Sequence, residues 1–300
     1  MFKLCLLEVT MPRRKRIHIP GFLWHITHRC HKKEHLLKFE KDRKTWRDWL
    51  FKAKKRYGLR VITYAVTCNH IHLLAVDTGK DVIPKSMQLL SGNTGQAYNN
   101  RKNRKGAFWE DRFYTTAIEN GVHLLRCMAY IELNMVRAGA VKHPKDWEFC
   151  GYNEILDPPD RYRLIDRNAL LSCCGITDPD EFRTHYEGLV AYTLQHGSLS
   201  RERLWTNNLA VGSRQYIEQN QEKFGKQYKI KALPTPDFKI YQYGQIRVKN
   251  DSNSRENGGI QDYVISEPQP VYDAYFTPEN WVLRGENSVF WNDTPLTTDT

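Results

Sequence analysis

Residues 68–76 read Cys-Asn-His-Ile-His-Leu-Leu-Ala-Val, and no other stretch constrains the chain as much. Side chains alternate across a β-strand. His70 and His72 therefore share one face, about 7 Å apart along the backbone, and Ile71 and Leu73 take the other. The apolar face has to be packed. The opposite face offers two imidazoles, from a rigid element, to one ligand. Imidazole is a common ligand of divalent metals. His-x-His is short, and taken alone it fits equally well a polar strand face with two hydrogen-bonded histidines.

The charge is unevenly placed. The 300 residues carry a net +11. Residues 1–150 hold 29 Lys/Arg against 13 Asp/Glu, and residues 151–300 hold 16 against 21. A basic first half and an acidic second half imply a polyanion partner for the first, with nucleic acid the foremost candidate. Ribosomal association or plain solubility is the alternative. The seven cysteines show no regular metal spacing, and Cys173-Cys174 are adjacent, which fits free thiols in a reducing cytoplasm. No run reaches the roughly 20 apolar residues of a membrane span. Residues 1–10 are apolar but precede the basic run Arg13-Arg14-Lys15-Arg16, the wrong order for a secretion signal. They read as an upstream extension, with Met11 as the start.

The rest of the first half alternates strand and helix patterns. Phe22–Arg29 is aromatic and β-branched, with Trp24, Ile26 and His28 on one face: strand one. Arg43–Tyr57 repeats Trp46, Trp49, Leu50 and Ala53 at helix spacing, and Gly58 stops it. Arg60–Thr67 and His70–Val76 are strands two and three. Val82–Asn100 is a helix expected to break near Ser91-Gly92-Asn93. Ala107–Trp109 and Arg112–Ile118 make strand four, and Val122–Arg137 a helix stopped by Gly139. The order β-α-β-β-α-β-α predicts an α+β fold, a ferredoxin-like split βαβ sheet with helices on one face. Residues 153–165, with Asp157-Pro158-Pro159-Asp160, read as a linker and 166–230 as a helical C-terminal domain. Residues 231–300 read as an irregular, poorly ordered tail.

At 100° per residue, His123, Arg126, Asn134 and Arg137 all fall within about 40° of Tyr130 on the last helix of the basic half. Leu124, Leu125, Met128, Met135 and Val136 lie away from it. Tyr130 is thus expected at the centre of a polar face. Glu132 lands in the apolar stripe and needs a partner, such as a basic side chain. A phenol is a weak nucleophile at its free pKa of about 10, and neighbouring guanidinium groups favour the phenolate. His70 and His72 could hold a divalent metal that polarises a phosphoryl oxygen, with Asn134 as an oxygen-donating third ligand. Such a mixed donor set suits Mg²⁺ or Mn²⁺.

Three ordered motifs give this half a family likeness: Asn69–Leu74, Gly106–Phe113 (Gly-Ala-Phe-Trp-Glu-Asp-Arg-Phe) and Tyr130–Gly139. Together they resemble the single-tyrosine transposases of the HUH endonuclease superfamily, in particular the REP-associated tyrosine transposases of bacteria. The basic opening at Met11 resembles that branch too. The likeness covers residues 11–152. It implies Tyr130 as the nucleophile, His70 and His72 as metal ligands, and Asn134 as the residue completing the metal site. The implied reaction cuts and rejoins single-stranded DNA near a hairpin through a 5′-phosphotyrosine, releasing a 3′-OH and using no ATP. Two positions depart from the pattern. Met135 stands where a proline usually follows the Asn, and Thr67-Cys68 stand where Met-Pro usually precedes Asn-His.

Expected DNA contacts are Arg13, Arg14, Lys15, Arg16, Arg29, Lys32, Arg101, Arg104, Lys105, Arg112, Arg126 and Arg137. Trp24, His31, Phe108 and Trp109 are interleaved among them as stacking rings. Trp24 and Trp109 also fit a sheet core. The expected partner is single-stranded DNA with hairpin-forming repeats, in a cytoplasmic, nucleoid-associated protein. Whether the protein acts alone or as a homodimer exchanging tyrosine helices stays open. Two other readings remain: a domesticated hairpin-binding protein that does not cut, and a metal phosphodiesterase using activated water.

Overall fold

Strand β1 (Leu23–Arg29) is where the sheet is organised, because neighbours pair with it on both sides. In this computed structural model, residues 17–79, 81–196 and 200–225 are described, together with the backbone of 229–233 and 280–284. The expected arm at 13–16, the segment 1–10, and 234–279 and 285–300 of the expected tail lie outside the described residues. Helix α1 (Glu40–Tyr57) follows β1 and ends at Gly58. There φ is +70°, a left-handed turn that glycine adopts without a Cβ clash. Strands β2 (Arg60–Val66) and β3 (His70–Val76) come next, then α2 (Val82–Lys102) and β4 (Tyr114–Ile118). The order β2-β3-β1-β4 has every neighbour antiparallel, with β3 inserted between β1 and β2, so the chain makes the split βαβ its pattern predicts.

The pleat sorts each strand's side chains into two cores. Trp24, Ile26, Ile71 and Leu73 pack with Trp46 and Leu50 of α1 and Met87 and Leu90 of α2. Leu23, Ile62, Ala65, Leu74 and Ile118 pack on the other face against α3 (Val122–Glu132). Helices therefore cover both faces of the sheet, not one. Both strand faces carry apolar residues, and a second layer is needed to bury them.

Other boundaries differ for local reasons. Helix α2 runs unbroken through Ser91-Gly92-Asn93. Asn93 Nδ2 donates to the carbonyl of Leu89, and the missing Cβ of Gly95 lets Phe108 pack against the helix, 3.1 Å from where that atom would sit. Strand β4 starts only at Tyr114; Phe108 and Trp109 lie in the preceding loop, joined to the sheet by a single bridge from Trp109 to Cys30. The tyrosine helix is two pieces, α3 and α4 (Asn134–Arg137), because Leu133 takes φ −76°, ψ 4°.

The second half is laced onto the first. Residues 153–165 are not a free link. α5 (Tyr152–Leu156) begins beside β2, and single bridges join Ala65 to Cys150 and Val61 to Ile165. Helices α6 (Arg167–Cys174) and α7 (Pro179–His196) pack their Leu170, Phe182 and Tyr186 into the α3 core. Residues 166–230 are not purely helical either. Strand β5 (Ala210–Gly212) runs parallel to β4, and α8 (Arg214–Phe224) returns to the α1–α2 face. Strands β6 (Lys229–Leu233) and β7 (Asn280–Arg284) extend the sheet to seven in the order β2-β3-β1-β4-β5-β7-β6. The irregular reading of 231–300 therefore fails at these strands, where main-chain pairing of β7 with β5 and of β6 with β7 supplies order that side-chain periodicity does not announce. Among the described residues no helix is long and apolar enough to cross a membrane.

Glu132 finds hydroxyls rather than the expected cation. Thr63 Oγ1 donates to it at 2.6 Å and Tyr186 Oη at 2.8 Å, tying α3 to β2 and α7. Burial pushes its carboxyl up to about 7, against the pull of those two donors. Between about pH 4.5 and 7 the unfolded chain ionises this group while the fold keeps it protonated, so stability falls as pH rises through that window. Glu132→Gln removes this component. In denaturant titrations from pH 4.5 to 8, the variant should gain on the wild type by on the order of 1–3 kcal/mol. Parallel pH curves would show that Glu132 is ionised in the fold.

Candidate active site

Antiparallel pairing of β1 with β3 sets Thr27 opposite His72, Arg29 opposite His70 and His25 opposite Leu74. Residues facing one another across a pair share a face, so His25, Thr27, Arg29, His70 and His72 all look toward α3. The two imidazoles of the His-x-His lie with ring centroids 4.9 Å apart. Tyr130 comes down on them: its ring is 5.8 Å from that of His72 and 6.3 Å from that of His25. Asn134, one turn on, places Nδ2 3.0 Å from His72 Nε2. The four residues Tyr130, His70, His72 and Asn134 thus come together.

The turn before β3 orients His70. Thr67 Oγ1 donates to the His70 carbonyl at 2.8 Å and accepts from the backbone N–H groups of Asn69 and His70. Its hydroxyl hydrogen is therefore spent. Asn69 Oδ1, 2.7 Å away, and Thr67 Oγ1, 2.9 Å away, both face His70 Nδ1 as acceptors. Asn69 Nδ2 is committed to the carbonyl of Lys33. Nδ1 of His70 thus carries the hydrogen, and its lone pair is on Nε2. Thr67 is one of the two departures noted above, and its hydroxyl now holds the turn together. Burial, with Arg29, Arg201 and Arg137 nearby, lowers His70 to about 3, and burial likewise lowers His72 well below its ordinary value. Both imidazoles are neutral at pH 7, the form that ligates a metal.

Tyr130 lies under a roof. Its side of α3 is not a solvent-exposed polar face: Tyr130 is 5% exposed, Arg126 5% and His123 4%. The roof is the 3-10 turn Arg203–Trp205, whose Trp205 ring lies 6.3 Å from Tyr130. Arg137 lies over the Tyr130 ring at 4.2 Å and donates from Nη2 to the Tyr130 carbonyl at 2.7 Å. Burial raises the phenol pKa; Arg137 and Arg201 oppose that rise without overcoming it. The expectation that flanking arginines leave the phenol activated is corrected accordingly: removal from water outweighs two nearby cations.

The expected DNA contacts divide. Lys32, Lys105 and Arg112 are exposed. Arg29 is half-buried at the edge of the site and lowered to about 10, first by burial and then by Arg201. Arg126 is not at the surface. It packs over the Trp205 ring at 5.9 Å, because that side of α3 is roofed. Arg101 is tied to the buried Asp42 of α1. Arg104 bonds Asn99 Oδ1 and the Ala107 carbonyl and pairs with Glu34, which closes the loop after α2. His123 pairs with Glu119 at 3.1 Å. Of the proposed stacking rings, Trp24 and Phe108 are core, and Trp109 stacks on His28 at 4.1 Å and 12°.

Sequence reasoning missed His25, Arg201 and Trp205. His25 had a signal: it lies out of phase with Trp24, Ile26 and His28, and in a split βαβ strand one must neighbour strand three. Arg201 and Trp205 had none, being 71 and 75 residues beyond Tyr130 in a stretch without periodicity.

With this geometry in hand, the chain was compared with known proteins. Residues 19–134 match the family model described as transposase IS200-like. That stretch is similar to the IS200-like transposases. It contains β1 through Asn134, hence all four converging residues. Two solved structures are similar to it. One is a REP-associated tyrosine transposase bound to a REP hairpin, at 23% identity over 48% of this chain and 84% of that one, TM-score 0.41. The other is from Deinococcus radiodurans R1 and is described as a transposase, at 17% identity over 34% and 83%, TM-score 0.28. No curated protein matches. The likeness rests on the family model.

Thr67→Val deprives two backbone N–H groups of their acceptor and should cost about 1–3 kcal/mol of stability, whereas Thr67→Ser should stay within about 0.5 kcal/mol of wild type. Chemical denaturation of the three proteins decides. A loss for serine with none for valine would mean that packing of the methyl, not the hydroxyl, holds the turn.

Proposed function

We propose that the transposase-like domain cleaves and rejoins single-stranded DNA at hairpin-associated sites through a 5′-phosphotyrosine on Tyr130. The phenol oxygen attacks the scissile phosphorus. The bond from phosphorus to the 3′ oxygen breaks, and that oxygen leaves with a proton as a free 3′-OH. The 5′ phosphate stays esterified to the tyrosine, and attack by a 3′-OH on that ester reverses the step. No nucleotide cofactor is needed, because the energy of the broken ester is kept in the new one. The reading is carried by the 5.8 Å approach of the Tyr130 ring to His72, whose Nε2 faces Asn134.

The donor set fits a divalent ion of the Mg²⁺ or Mn²⁺ kind. His70 and His72 are neutral, His70 has its Nδ1 hydrogen-bonded so that Nε2 is left to ligate, and the amide of Asn134 has an oxygen to offer a cation. Among the described residues no cluster of three or more His, Cys, Asp or Glu converges on a point, so Asn134 supplies what would be the third protein ligand. When bound, such an ion supplies Lewis-acid polarisation of a phosphoryl oxygen. Arg29, Arg137 and Arg201 all bear on the imidazole pair and give this poorly hydrated site a positive bias suited to a phosphodiester. Lys32, Lys105 and Arg112 offer the exposed charge for the flanking strand.

One observation favours the second reading, a hairpin-binding protein that does not cut: Tyr130 is buried beneath Trp205. The two readings part on the nucleophile. With hairpin-tipped single-stranded DNA and Mn²⁺, the wild type should form a covalent adduct that survives denaturing electrophoresis. Tyr130→Phe should lose cleavage by on the order of 10³-fold or more while binding DNA as before. Absence of an adduct in the wild type favours the binder. Full cleavage by the phenylalanine variant would point instead to attack by water.

A further inference from the structure

We propose that His25 is a positioning residue: with the main-chain carbonyl of Trp205 it fixes the tautomer of His72 and so aims the His72 Nε2 lone pair into the site. The inference rests on the reading of His70 and His72 as a metal-holding pair. His25 Nδ1 lies 2.9 Å from the Trp205 carbonyl oxygen, and His25 Nε2 lies 2.8 Å from His72 Nδ1. The two rings are nearly parallel, 15° apart, with centroids 5.0 Å from one another.

The direction of each hydrogen follows from the far end of this chain. A carbonyl oxygen only accepts, so His25 Nδ1 carries a hydrogen. His25 is 1% exposed, and among the described residues its hydrogen-bond partners include no carboxylate. A second hydrogen on its Nε2 would leave a buried cation without a counter-charge, so Nε2 accepts. The hydrogen between the two rings therefore belongs to His72 Nδ1. A neutral imidazole carries one such hydrogen, which leaves the lone pair of His72 on Nε2, where Asn134 Nδ2 meets it at 3.0 Å. The arrangement matches that of His70, whose Nδ1 hydrogen is directed at Asn69 and Thr67. Both rings thus present the same nitrogen to one place, one by way of the turn before β3 and the other by way of β1.

The anchor is a backbone atom at residue 205, outside the 19–134 family match. The relay thus joins the matched residues to the segment that follows them. Hydrogen bonds behind a ligating histidine hold its ring orientation and tautomer, and their loss typically weakens metal affinity by about 10–100-fold.

The test uses the full chain, free of metal and labelled with ¹⁵N. Long-range ¹H–¹⁵N correlation spectra report which nitrogen of His72 bears hydrogen, and calorimetric titration with Mn²⁺ alone reports affinity. His25→Gln keeps an acceptor and a donor on one side chain; His25→Leu removes both. Wild type should show His72 as the Nδ1–H tautomer. His25→Gln should keep that form with a Kd within about threefold of wild type. His25→Leu should show mixed tautomers and a Kd weaker by about 10–100-fold. An Nε2–H His72 in the wild type overturns the proposal without recourse to any variant. A leucine variant with the wild-type tautomer and Kd overturns it as well, as does a glutamine variant as weak as leucine, which would assign His25 to packing. A wild type that binds no Mn²⁺ would instead defeat the metal reading under the proposed function, and the tautomer of His72 would still decide the relay.

Discussion

The register between β1 and β3 is the constraint on which the other features depend. Because Thr27 faces His72 and Arg29 faces His70, one phase of two neighbouring strands gathers these polar side chains beside Leu23 and Leu74, and the other gathers Trp24, Ile26, Ile71 and Leu73. A slip of one residue would turn His70 and His72 toward α1 and α2 and expose Ile71 and Leu73 to the site, undoing both cores together. The apolar phase, with Trp24, Ile26, Ile71 and Leu73 all nearly inaccessible, makes that slip costly. The hydrophobic packing on the far side of the sheet thus holds the imidazoles in place on the near side.

Burial then sets the chemistry. It keeps His25 near 4 and His70 near 3, raises the Tyr130 phenol, and lifts Glu132 to about 7. In each case the neutral form is preferred, because water is excluded from both sides of α3. The guanidinium groups of Arg29 and Arg137, though lowered by burial, keep their charge in this setting. Glu110 bears on Arg29 and Glu202 on Arg137, so these cations do not stand alone, and in a dry site such attractions are stronger than they would be in water. The same dryness keeps the Tyr130 phenol un-ionised, and only a further cation would favour its charged form.

Much of this was legible beforehand. The strand and helix order of the first half, the shared face of His70 and His72, and the angular grouping of Tyr130 with Asn134 all follow from periods of 2 and 3.6, which are local properties. What was not legible depends on which surfaces meet. A helical wheel groups Arg126, Tyr130 and Arg137 correctly but does not say whether their side faces water or a roof. Helix α2 runs unbroken, and Phe108 packs beside its Gly95 from outside the helix. The strands at 229–233 and 280–284 are held by main-chain pairing, which leaves little trace in side-chain pattern. Glu132 was flagged as anomalous from sequence, but its partners, Thr63 and Tyr186, lie 69 and 54 residues away.

The segment from 200 to 212 argues against treating residues 19–134 as self-sufficient. Trp205 alone accepts from His25 through its carbonyl, lays its ring beside Tyr130, receives Arg126 over the same ring and donates from Nε1 to Glu202. A few residues on, the Asn208 carbonyl accepts from Thr116 Oγ1, and β5 pairs with β4. These contacts reach the buried polar atoms on the α3 side of β1 and β4, where an unmet donor costs roughly 1–3 kcal/mol. A chain ending near residue 152 would keep the strands and the tyrosine helix but leave His25 and Thr116 without their acceptors and the Tyr130 ring wet. The cooperative unit that builds this site therefore extends through β5.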